Sequence, residues 1–390
     1  MLHLRFIATL IASVLLSASS FAGTTYFVGT CQPKKPSYAT ISQAVSSVPA
    51  GSIIEVCPGK YPEQVVITMP LTLEGIPGGS GAAVVVVPSG GTLTQYVQDV
   101  YQNDAYSQIL VQNTTGPVTI NNLAVDGTGG SVPLSDGSGY IVGIYYQNAS
   151  GSVTNASVRN QTFQGSAVGI YADGTGAAPT LTIENSVVRN QGYSAISVSG
   201  QFFNTPFTPT IKANTVDQAA SEAIGISLNY AGGVVESNTV ISPFPVNGLG
   251  LLVQSSSATI SSNSIYASSP IELGYDSSTF TANTIVATGS YPWTVYAFFS
   301  ATNLHGNKID AGGQEGVLLI GPGSVKVQSN TIANSSTAVD GSCGQQYPAS
   351  GSTVTGNTIT DASIGIKMPS GNTAKPNTFY ATANTVAACP

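Results

Sequence analysis

The feature that most constrains this chain is a six-residue phrase that it keeps repeating: an apolar residue, two small or polar residues, Asn, one further residue, and a second apolar residue. It reads Ile211-Lys-Ala-Asn214-Thr-Val216, then Val235-Glu-Ser-Asn238-Thr-Val240 and Ile260-Ser-Ser-Asn263-Ser-Ile265, and continues at Asn283, Asn307, Asn330 and Asn357. A frayed last copy is expected at Asn384 and Val386, giving Asn-to-Asn steps of 24, 25, 20, 24, 23, 27 and 27 residues. Such a period marks a stacked repeat, in which each unit buries its apolar face on the next. Side chains alternate along a strand, so two apolar residues five apart cannot share one strand face. A turn must lie between them. Asn suits that turn because it tolerates the left-handed conformation, bonds its own backbone and stacks on copies of itself. The phrase therefore predicts strand, Asn turn, strand, with both apolar ends facing inward.

The rest of the chain fits an all-β solenoid. Among 390 residues, 42% are hydrophobic, 7% are charged and 43 are Gly, which supplies a core and many turns. The net charge of −7 disfavours a nucleic-acid partner. Residues 1–22 have the Arg5 n-region, the apolar Phe6 to Leu16 run and the small-residue site at Ser20-Phe21-Ala22 of an export signal. The apolar run is short for a membrane span. Cys31, Cys57, Cys343 and Cys389 then predict two disulfides, of three possible connectivities; local pairing would staple each end of the solenoid. Ile41, Ala44, Val45 and Val48 have helical spacing and predict a short capping helix ahead of the first strands. The expected divisions are the signal at 1–22, a cap with irregular first coils at 23–113, and regular coils at 114–390. Within the first part, Gln95 to Ser107 is polar and reads as an excursion loop.

Three regular coils precede Asn214. Aligned on their apolar residues, they put Asn122, Asn155 and Asn185 one place early, so that Leu123, Ala156 and Ser186 occupy the ladder position. Each coil also carries a third strand, as in Gly143-Ile-Tyr-Tyr-Gln147 and Gly169-Ile-Tyr-Ala-Asp173. Three strands per coil, each stacking on the next at about 4.8 Å, is a parallel β-helix.

The stretch Tyr38-Ala-Thr-Ile-Ser-Gln-Ala-Val, followed by Pro58-Gly-Lys-Tyr-Pro-Glu63-Gln-Val-Val-Ile67, resembles the first coil of pectinesterase-type proteins. The whole arrangement resembles the right-handed parallel β-helices of the pectin-lyase-like superfamily. That resemblance implies a right-handed solenoid whose ligand groove runs along the third strand. The catalytic signatures of pectinesterases, polygalacturonases and pectate lyases are missing: the phrase reads Asn-Thr-Val or Asn-Thr-Ile, no Asp-Asp occurs, and His305 stands inside a ladder phrase. Fold does not fix function, so the site must be argued from residues.

On the third strand the outward row is expected to read Tyr145, Tyr171, Ser197, Ser227, Leu252, Glu272, Tyr296, with Gln147, Asp173, Ser199, Asn229 and Gln254 beside it. Aromatic faces with amides and hydroxyls suit sugar rings. A second row, Asp126, Arg159, Arg189 and Asp217, arises partly from the duplicated Val-Arg-Asn-Gln at 158–161 and 188–191. Its bland reading is a surface charge ladder; its sharper reading is that Arg159 and Arg189 receive an acidic glycan, because the guanidinium fork matches a carboxylate. Elimination chemistry would use either Arg with Tyr171 or Tyr193. Asp173 and Glu272 lie four coils apart, about 19 Å, too far to act as a hydrolytic pair. Asp99 with Asp104, and Asp126 with Asp136, are the weak candidates for a metal-assisted version; no metal and no cofactor are expected. The sequence thus predicts a secreted or periplasmic β-helix that binds an extracellular polysaccharide, acidic in character, with its processing left open. The alternative is a non-catalytic structural or adhesive surface protein.

Overall fold

The computed structural model describes residues 23–77, 82–133, 139–174, 179–201, 207–218, 223–244 and 248–389. The expected signal segment and Asp136 lie outside these residues. The chain winds into a right-handed parallel β-helix. The first strands of the successive coils form one sheet of 14 strands, and the second and third strands form another of 25. Where the bend between the second and third strands is slight, the two run together, as in Thr331–Asp340 and Thr358–Met368. Thr119 pairs with Thr72, so the stack passes without a break from the early coils into the regular ones.

The short helix Ile41–Ser47 covers the open end and buries Ile41, Ala44 and Val45. The Thr40 hydroxyl accepts from the Gln43 amide at 3.1 Å, and Glu63 accepts from the amides of Ile41 and Ser42 at 2.9 and 2.7 Å. These bonds satisfy N–H groups that the first helical turn leaves without partners. Cys31–Cys57 and Cys343–Cys389 are bonded, so local pairing staples both ends of the described solenoid.

The phrase behaves as a strand, a turn and a strand. Ile211, Val235 and Ile260 stack in register, as do Val216, Val240 and Ile265, and all six are buried. The ladder Asn residues are also buried, with each side-chain oxygen accepting from the Asn below. The Asn214 amide and Nδ2 both donate to Asn238 Oδ1 at 3.0 Å, and Asn238 Nδ2 donates onward to Ile211 O at 2.9 Å.

Two expectations are corrected. The ladder Asn does not take the left-handed conformation; the residue before it does, with φ of 52° at Ala213, 56° at Ser237 and 55° at Ala282. In the early coils Asn122, Asn155 and Asn185 occupy that left-handed place, which is why they fall one position early. The last ladder rung is Asn377, whose oxygen accepts from the Asn357 amide and Nδ2, both at 2.9 Å. Asn384 instead opens a third strand opposite Ile364. Ala374 and Phe379 fill the apolar places of this copy, and the small Ala conceals it in the sequence.

Candidate functional site

The outward row on the third strand is in the register expected from the sequence. Tyr145 pairs with Tyr171, Tyr171 with Ser197, Ser197 with Ser227, and the row continues through Leu252 and Glu272 to Tyr296. Gly169, inside the strand Ala167–Gly174, has no room for a side chain, since a Cβ there would lie 2.6 Å from both Ala195 O and Val188 Cγ1.

The predicted excursion loop is a hairpin. Tyr96–Gln98 runs antiparallel to the start of Asp104–Gln112, and the turn between them climbs the outside of the solenoid along the row beside the tyrosines. Gln147 Nε2 donates to Gln98 O at 2.6 Å in one coil, and the Val100 amide donates to Asp173 Oδ2 at 2.8 Å in the next. Two coils further on, Asn229 Nδ2 donates to the Tyr101 hydroxyl at 2.7 Å. The hairpin is therefore one wall of a groove whose floor is the outward row. Tyr193, 51% exposed, stands on the opposite rim.

Between these walls lies a cavity of about 360 Å³, lined by Asp99, Tyr101, Tyr140, Tyr171, Tyr193 and a floor that includes Ser197, Ser227 and Leu252. The small serines create the depression between the larger residues on either side. A second cavity of about 490 Å³ shares Tyr101, Asn229 and Gln254 with the first and extends the groove to Glu272, Tyr296 and Phe298. Trp293 stacks on Tyr296 at 4.7 Å between ring centroids, which lengthens the aromatic surface at this end.

Two carboxylates meet at the hairpin. Asp99 Oδ1 accepts from the amides of Tyr101 and Asn103 at 2.8 and 2.9 Å, and its Oδ2 accepts from the Tyr140 hydroxyl at 2.9 Å. Asp173 lies beneath the hairpin wall, where its Oδ2 also accepts from the Tyr145 hydroxyl at 2.7 Å. Burial raises the Asp173 pKa to about 7, against the lowering effect of the Tyr145 and Val100 donors and with a further push from the Asp99 charge. Burial, and then the Asp173 charge, push the Tyr145 hydroxyl well above its ordinary range. Strand alternation alone assigns Asp173 to the outward face, whereas nothing in the sequence assigns Asp99, Tyr101 and Tyr140 to the groove. Asp99 is 74 residues before Asp173 in the chain, and only the fold of the hairpin joins them. The available signal was a break in the repeat rich in Tyr, Gln and Asp.

The charge row forms as well. Asp126, Arg159, Arg189 and Asp217 are in register, and Arg159 Nε lies 3.0 Å from Asp126 Oδ2. Burial would raise the Asp126 pKa, but donors from Thr128 and Asn160 and the Arg159 charge outweigh it and hold the carboxyl below its usual range. Asp217 sits opposite Arg189 and is itself partnered. The duplicated Arg-Asn-Gln has structural uses for its last two residues. Asn160 and Asn190 take left-handed turns and bond each other at 2.7 Å, while Gln161 and Gln191 are buried in a ladder from Gln108 to Gln218. Neither arginine lines the cavities just described. His305 is exposed on a first strand. Among the described residues no group of three or more His, Cys, Asp and Glu gathers, and no helix is long and apolar enough to cross a membrane.

Residues 142–298 match the family model described as a right handed beta helix region. Comparison of the sequence with curated proteins gives no significant match. Among solved structures, the chain is similar to the GH136 lacto-N-biosidase from Eubacterium ramulus, with 11% identity, a TM-score of 0.56, and coverage of 92% of this chain and 68% of that one. It is also similar to the periplasmic alginate epimerase AlgG, with 12% identity, a TM-score of 0.55, and coverage of 90% and 84%. At these identities the shared property is the fold. The chain folds as a right-handed parallel β-helix, the fold it shares with these proteins.

Proposed function

We propose that this chain is an exported protein that binds an extracellular polysaccharide along the groove between the hairpin 96–106 and the Tyr193 rim. The observation that carries this reading is the groove itself. Aromatic rings at Tyr101, Tyr193 and Tyr296 lie among hydroxyls and amides at Ser197, Ser227, Asn229 and Gln254 along one continuous floor and its rims. Sugar rings have apolar faces and polar edges, and such a lining complements both. The groove carries Asp99 and Glu272 and neither of the row arginines, which supports a neutral chain over the acidic one expected from Arg159 and Arg189. Export is supported by the signal-like first 22 residues and by two disulfides, which persist in oxidising compartments. The alginate epimerase and the lacto-N-biosidase show only that this fold can host carbohydrate chemistry.

The test is retention of the protein on a neutral β-glucan, polygalacturonate and alginate in affinity gels. Retention should be strongest on the neutral polymer, and Tyr193→Ala combined with Asn229→Ala should weaken it about tenfold, the loss of ~1.4 kcal/mol. Retention on none of the three, or an unchanged double variant, would contradict the proposal.

A further inference from the structure

The groove is open along most of its length and closed at one end. At the coils nearest the capping helix, the outward row does not face solvent: Leu110 is 4% exposed and Tyr145 0%. These residues belong to a small hydrophobic cluster on the outside of the sheet, formed with Ala105, Val142, Val168 and the 4% exposed Tyr171 and joined by Val97 from the hairpin. Tyr140 finishes the wall, its ring packed edge-on against Tyr171 at 6.3 Å. Beyond Tyr171 the row descends to Ser197 and Ser227, then rises into the half-buried Leu252, Glu272, Tyr296 and Leu318, where nothing comparable crosses it among the described residues. A polymer lying on this floor can continue past Tyr296, whereas at Tyr140 it must stop.

The closed end also carries polar groups. The Asp99 carboxylate, the Tyr140 hydroxyl and the Asn103 amide gather there, and Asp99 Oδ2 accepts from both Tyr140 and Asn103, at 2.9 and 3.2 Å. An interior sugar of a glycan chain presents ring faces, glycosidic oxygens and the hydroxyls its linkages leave free. A chain terminus presents additional hydroxyls, which donate to carboxylates and accept from phenol and amide donors. The apolar plug excludes a continuing chain, and the polar groups before it complement a chain that ends. We propose that the groove selects polysaccharide chain ends, seating the terminal sugar against Asp99, Tyr140 and Asn103 while the following sugars run over Ser197, Ser227 and Leu252.

This inference rests on the glycan-binding reading above, and the experiment separates the two. One neutral β-glucan is prepared as the intact polymer and as a partial hydrolysate about tenfold shorter on average, and both are titrated with the full-length mature protein at equal mass concentration. If termini are bound, the hydrolysate should bind about tenfold more protein per unit mass. Oligosaccharides blocked at one end, by reduction to the alditol or by methylation of the non-reducing end, should then lose affinity at least tenfold for one terminus and not for the other. Equal binding per unit mass, or full affinity for both blocked forms, would overturn chain-end selection and leave glycan binding standing. No binding of either preparation would overturn both readings for this polymer class.

Discussion

Asn263 holds three successive coils together with one side chain. Its oxygen accepts from the amide and Nδ2 of Asn238, both at 2.9 Å; its own Nδ2 donates to Val235 O and to Asn283 Oδ1, also at 2.9 Å. Removing it strands two donors of Asn238 in a buried turn, and an unmet buried donor costs about 1–3 kcal/mol. Asn263→Ala should therefore lower the unfolding free energy by at least ~2 kcal/mol in denaturant titration, far more than a change at a surface Asn. The neighbouring place behaves oppositely. Ala282 sits at φ 55°, where a side chain crowds the backbone, and Ala282→Gly should stabilise by about 0.5–1 kcal/mol. The ladder was legible in the sequence because apolar spacing alone fixes which residue points inward. The conformation of each residue was not, because Asn suits both the left-handed place and the ladder place. Only the bonding in the folded turn separates the two roles.

At the scale of elements, the third-strand register followed from the sequence, since alternation assigns the outward row once the coils are aligned. The hairpin did not. It has no repeat to align with, and its contacts with Gln147, Asp173 and Asn229 depend on the direction in which it folds back. Its docking carries a pH signature. Asp173 has a native pKa near 7, above the ordinary carboxylate value of the unfolded chain, so the folded state keeps a proton that the unfolded state releases between about pH 4 and 7. The stabilisation linked to that proton is fully present below about pH 4, declines as pH rises, and is gone above about 7. Asn resembles the protonated acid and can accept the same Val100 and Tyr145 bonds. Wild type and Asp173→Asn melted between pH 4 and 8 should thus diverge, the wild type losing stability relative to the variant by up to ~4 kcal/mol as pH rises through that window. Parallel melting curves would show that Asp173 ionises freely in the folded protein.

For the whole molecule, the solenoid acts as a ruler. Ser197 and Tyr296 are separated by four coil steps, about 19 Å at the inter-strand spacing, so a ligand must be extended to use both. The disulfides hold the ends of that ruler. Loops of 26 and 46 residues should contribute about 3.5 and 4 kcal/mol through loss of unfolded-state freedom, so reduction should lower the melting temperature without altering the groove. The break in the repeat rule points to the early coils as the place of a site, and the cavity of about 360 Å³ is lined by Tyr171, Ser197 and Ser227. The sequence also directs attention to Arg159 and Arg189, because a duplicated motif suggests a shared purpose. In the folded chain its Asn and Gln residues build the turn ladder, which accounts for two-thirds of that motif.

The most direct measurement is the structure of the protein with a bound linear oligosaccharide. The account predicts sugar rings between the hairpin and Tyr193, over Ser197 and Ser227, with the terminal ring against Asp99 and Tyr140. An oligosaccharide seated instead on the Asp126, Arg159, Arg189 and Asp217 row, with the groove empty, would contradict it.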